Sequence, residues 1–89
     1  MQWKEGGRYD VANIGHLFAY VECIEAYGNP GQPVYEAEYF TWFIAPDDED
    51  KNHRRAITGG RADTREEAEV AIKSSIKTLA ERLLHDLGA

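Results

Sequence analysis

Residues 35–44 read YEAEYFTWFI, and what covers the two faces of this stretch decides the fold. Its aromatic and β-branched residues suit a strand, and strand side chains alternate between opposite faces. One face then carries Tyr35, Ala37, Tyr39, Thr41 and Phe43, and the other carries Glu36, Glu38, Phe40, Trp42 and Ile44. An antiparallel sheet under a single helix normally shows apolar residues inward and polar residues outward. Neither face here is polar throughout, so two layers of cover are needed.

The neighbouring run repeats the problem. GHLFAYVECIEAY (15–27) and VYEAEYFTWFIA (34–45) flank GNPGQP, a loop dense in turn formers. Leu17, Ala19, Val21 and Cys23 alternate with Phe18, Tyr20, Glu22 and Ile24, again apolar on both sides. Ile14, Leu17, Phe18, Val21 and Ile24 also fall at helical spacing, with Asn13 as a cap and Gly28 as a stop, which leaves a helix open over 11–27. Gly15 and the density of Phe, Tyr, Val and Ile favour a strand.

A helix is unmistakable only in the last third. In TREEAEVAIKSSIKTLAERLLHDLGA, Ala68, Ile72, Ile76, Leu79, Leu83 and Leu87 form one apolar stripe. Thr64 and Glu67 fit a capping box, Glu66 suits the positive end of the dipole, and Gly88 is a stop. A helix over 64–87 would be about 36 Å long, close to the roughly 36–40 Å of the two long runs if both are extended. On its surface the spacing pairs Glu69 with Lys73 and Arg82 with Asp86.

Between these elements, PDDEDKNHR (46–54) is a polar loop and RAITGG (55–60) a short third strand ended by its glycines. The N-terminal WKEGGRYDVANI adds a short strand or drapes over the sheet. The expected fold is α+β in the order β-β-β-α, an antiparallel sheet of three or four strands with one long C-terminal helix on one face. At 89 residues it is a single domain, which buries only about 60% of its unfolded surface.

Composition narrows the function. A hydrophobic fraction of 43% and a charged fraction of 29% describe an ordered chain. The net charge of −6 opposes approach to nucleic acid or anionic lipid and favours a protein partner with a basic surface. No run approaches the length of a membrane span, and the N-terminus lacks the apolar segment of a signal peptide, so a cytoplasmic protein without membrane contact is expected. The single cysteine, Cys23, permits no internal disulfide and reads as a small core residue.

Catalytic motifs are missing. His16, His53 and His85 show no metal-ligand spacing. The acidic run of Asp47, Asp48, Glu49 and Asp50 lacks the alternation and central glycine of a calcium loop. TGGRADT (58–64) lacks the lysine and glycine spacing of a phosphate cradle and reads as a tight strand-to-helix turn. No catalytic residue, metal or cofactor is expected.

From FTWFIAP through TGGRADTREEAEVAIKSSIKTL, the chain resembles the strand, loop, strand and G-x-A-x-[ST]-x-E-E-A-E helix of small phage and bacterial domains. The same half is similar to the C-terminal half of double-stranded-RNA-binding domains. That family's lysine cluster is replaced here by Thr64, Arg65, Glu66 and Glu67, which removes its phosphate contacts. A nucleic-acid module would need Arg54, Arg55, Arg61, Arg65 and Lys73 gathered on one surface. As a small acidic, aromatic-rich domain without catalytic motifs, the chain also resembles phage inhibitors of host defence, anti-CRISPR proteins among them.

One helix leaves one sheet face over, and leftover aromatics mark an interaction surface. Phe18, Tyr20, Phe40 and Trp42, with the loop Asp47, Asp48, Glu49 and Asp50, are therefore the expected partner-binding residues. The expected function is stoichiometric binding of another protein, as by an inhibitor of a host defence protein, with nucleic-acid binding or a homodimeric structural role as alternatives.

Overall fold

A computed structural model describes residues 2–47 and 56–88. It shows an antiparallel sheet of five strands in sequential order with one C-terminal helix on one face. The strands are β1 (Trp3–Gly6), β2 (Tyr9–Ile14), β3 (Leu17–Ile24), β4 (Tyr39–Pro46) and β5 (Thr58–Ala62), and the helix is α1 (Arg65–Asp86). The α+β class is as expected, with more strands than the three or four anticipated. No helix among the described residues is long and apolar enough to cross a membrane.

The additional strands come from the N-terminus. Residues 3–14 form an edge hairpin turning at Gly7, whose φ of 81° suits glycine. This hairpin extends the sheet rather than draping over it. The first long run is strand and not helix, because each residue from Leu17 to Ile24 pairs with a partner in β4. Segment 34–38 stands outside β4, tied to the meander by an isolated backbone bridge between Tyr27 and Glu36 and by side-chain contacts of Glu36 with Arg61 and Glu38 with Cys23.

Register decides which side chains meet the helix. Val21 lies opposite Trp42 and Ala19 opposite Ile44, so odd residues of β3 share a face with even residues of β4. On that face Ala19, Val21, Trp42, Ile44 and Ala62 close a core with Ala68 and Ile72 of α1. Ile44 and Ile72 are fully buried, and truncating either to alanine removes buried volume worth about 2–5 kcal/mol.

β5 corrects one expectation. Its glycines do not end the strand but lie inside it, with Gly60 opposite Trp42 and Gly59 opposite Phe43. A Cβ on Gly60 would stand 3.1 Å from the Trp42 indole, so this glycine makes room for the ring.

α1 begins as its sequence predicts. The Thr64 hydroxyl accepts from the Glu67 N–H at 3.1 Å, and the Glu67 carboxylate accepts from the Asp63 N–H at 3.2 Å. Arg65 then leaves the helix to clamp the edge hairpin. Its guanidinium is 3.0 Å from Asp10, 3.5 Å from Glu69 and 4.4 Å from the centre of the Trp3 ring. Glu69 therefore pairs one turn back with Arg65 and not forward with Lys73.

The length match between helix and strands does not hold. β3 and β4 have eight residues each, about 26 Å of strand, whereas the 22 residues of α1 span about 33 Å. The helix packs on β3, β4 and β5 through its first half. Its last turns, from Glu81 onward and including Leu83, are exposed.

Candidate functional site

The uncovered sheet face is built from Tyr9 and Val11 of β2, Phe18, Tyr20 and Glu22 of β3, and Thr41 and Phe43 of β4. Tyr20 lies directly opposite Phe43, and Tyr9 reaches Tyr20 from the next strand. The Tyr9 and Tyr20 rings stack at 5.2 Å, Tyr20 and Phe43 stack at 4.6 Å, and Phe18 meets Phe43 edge-on at 5.7 Å. Such pairs hold their geometry by ring quadrupole as well as by apolar contact. Together they floor a groove of about 840 Å³.

Burial grades across this row. Phe18 is buried, Tyr20 and Phe43 are partly covered, and Tyr9 is 44% exposed. The groove is thus anchored at one end and open at the other. Lys4, Glu5 and Glu22 line it with charge, and Asn13 and Thr41 with neutral polar groups. The Tyr20 hydroxyl is pushed up to about 12 by burial first, then by the charge and hydrogen bond of Glu22, then by Tyr9.

The expected binding residues separate. Phe18 and Tyr20 belong to the open face, but Phe40 and Trp42 lie on the helix face, with Trp42 8% exposed in the core and Phe40 packed against it. The offset between β3 and β4 is responsible, since alternation within each strand does not say which face of one joins which face of the next. Tyr9, Val11 and Phe43 take their places. Phe43 was visible as an aromatic of the other parity, whereas Tyr9 lay in a segment too polar to signal a strand. Of the acidic run, Asp47 donates its N–H to the His16 carbonyl at 2.7 Å, and Asp48, Glu49 and Asp50 lie outside the described residues.

Cys23 is partly exposed rather than a core residue. Its Sγ donates to Glu38 Oε1 at 3.2 Å, and that bond, with burial and the carboxylate charge behind it, raises the thiol above its ordinary value. A raised thiol is a poor nucleophile at neutral pH. Among the described residues, no group of three His, Cys, Asp or Glu side chains could hold a metal ion.

Among the described residues, Arg61 and Arg65 do not gather on one surface. Arg61 sits 3.8 Å over the Tyr39 ring and 3.3 Å from Glu36, on the open-face side of β5 opposite Thr41. Arg65 is engaged on the helix face with Asp10 and Glu69. Two of the arginines that a nucleic-acid surface would need are therefore on opposite sides of the sheet and paired with carboxylates; Arg54 and Arg55 lie outside the described residues.

Comparison of the chain with protein-family models, with curated proteins and with solved structures gave no match.

Proposed function

We propose that this protein is a stoichiometric protein-binding module that acts by occupancy through its open sheet face, without catalysis. The observation that carries the proposal is the row of stacked rings from Tyr9 through Tyr20 to Phe43 across three neighbouring strands. Aromatic side chains on strands are rigid, lose little entropy on binding, and are frequent anchors of interfaces. Glu5 and Glu22 beside the rings, with the net charge of −6, favour a partner whose contact surface is basic. Inhibition of a host defence protein, the setting implied by the resemblance to phage inhibitors, requires only that such a face block the partner's own contacts.

The test is affinity capture from cells that express the protein, with the captured complex weighed to establish its stoichiometry. Tyr9→Ala and Tyr20→Ala, each verified as folded by circular dichroism, should weaken capture by about thirtyfold or more, as loss of an anchor worth about 2 kcal/mol does. Val70→Lys, on the exposed outer side of α1, should leave capture intact. Full capture by both tyrosine variants would remove the open face from the function.

A further inference from the structure

The apolar stripe of α1 does not stop where the sheet does. Ala68 and Ile72 are fully buried, whereas Leu83 is 66%, Leu84 58% and Leu87 81% exposed. All described residues from Glu81 onward are exposed. Four of the stripe residues, Ile76, Leu79, Leu83 and Leu87, continue the buried positions at helical spacing. The last turns therefore carry a core-facing pattern with no sheet beneath them.

We infer that this overhang is the interface of a homodimer, in which the last turns of two helices pack antiparallel about a two-fold axis near Leu83 and Leu84. Charge selects this occupant and this direction. Arg82 and Asp86 sit one turn apart beside the leucines. In an antiparallel pair centred between them, Arg82 of each copy lies opposite Asp86 of the other, so one patch forms the ion pair twice. A parallel pair would set Arg82 against Arg82 and Asp86 against Asp86. Antiparallel packing also opposes the two helix dipoles favourably.

The size of the patch sets its strength. A few leucines over the last turns fall short of the ~800 Å² per partner buried in a standard stable complex. The dimer is consequently a concentration-dependent one. It leaves the stacked rings of the open face uncovered, so two copies of that face are presented together and a partner with two sites gains avidity. The dimer itself stands whether or not the open face is a binding site.

Sedimentation equilibrium from about 1 μM to about 1 mM covers the range in which weak protein pairs form. The expected mass rises from the 10.1 kDa of one chain toward twice that value. Leu83→Glu should weaken the dimer about tenfold or more, leaving the dilute monomer's circular dichroism unchanged because the residue is exposed. Arg82→Asp should weaken it as well, and Arg82→Asp combined with Asp86→Arg should restore it, an outcome that general loss of helix stability would not produce. A single-chain mass throughout would overturn the inference and leave the overhang to a different protein. So would a dimer that survives Leu83→Glu, or one that dissociates with Tyr20→Asp, which would place the interface on the sheet.

Discussion

Tyr20 is the residue at which the chemistry of the open face can be read directly. Its phenol sits between the Tyr9 and Phe43 rings and beside the Glu22 carboxylate. Each neighbour opposes ionisation: the rings by excluding water and the carboxylate by its charge and by accepting a hydrogen bond from the hydroxyl. The folded chain therefore holds this proton up to about 12, while the unfolded chain releases it near the ordinary value of 10.0. Because the folded state binds the extra proton, the resulting stabilisation is complete below pH 10 and is lost as pH rises from there toward about 12. Urea unfolding midpoints should fall more steeply over that range in the wild type than in Tyr20→Phe, which cannot ionise. Equal slopes would mean that the phenol is solvated like a free tyrosine and that the ring row is looser than described.

At the scale of elements, the first residue of the helix clamps the edge hairpin. α1 packs on β3, β4 and β5, Trp3 and Ile14 of the hairpin pack against the shared core, and the Arg65 side chain reaches out to Asp10 and Trp3. The side chains of Arg65 and Asp10 are about three-quarters covered, at 25% and 26% exposure, so their attraction is screened less than that of a surface pair. Arg65→Ala should lower stability by about 1–2 kcal/mol. Arg65→Lys should recover only part of this, because lysine keeps the charge but loses the planar stacking on Trp3. Denaturant midpoints of the two variants measure both effects. The same element shows where sequence patterning works and where it fails. The helix and its Thr64 cap are legible because each follows from local spacing, and the two long strands because their aromatic and β-branched density favours a strand. The edge hairpin is not, because Lys4, Glu5, Arg8 and Asp10 mask its alternation. Nor is the composition of the open face, since the pairing of Val21 with Trp42 depends on how the segment between β3 and β4 closes. Both parities of each strand carry apolar residues, so nothing local distinguishes Phe43 from Trp42 as the one on the open face.

Taken whole, the molecule is long for its mass. Its Cα radius of gyration is 15.4 Å with extents of 55 × 25 × 23 Å, against about 12 Å for a compact domain of this length. The excess is consistent with the helical overhang, and it divides the chain into a part with a core and a part without one. Around Ala68 and Ile72 the helix cannot open without exposing the core. Beyond Glu81 its residues are exposed, and it ends in a closing turn at Leu87 and Gly88, where N–H groups donate to the Leu83 and His85 carbonyls at 3.1 and 3.0 Å. Short unsupported helical segments are marginal in water. In dilute monomer, amides of residues 69–76 should therefore exchange with solvent deuterium only on global unfolding, while those of residues 81–87 exchange through local fraying, at least about a hundredfold faster. Mass spectrometry of peptides from the two halves resolves the difference. At concentrations where two helices pair, the fast half should slow while the slow half stays as it was, because only the former gains a partner. Uniform protection along α1 at high dilution would mean that the last turns already rest on the same chain, and that the leucines of the overhang are not available to a second copy.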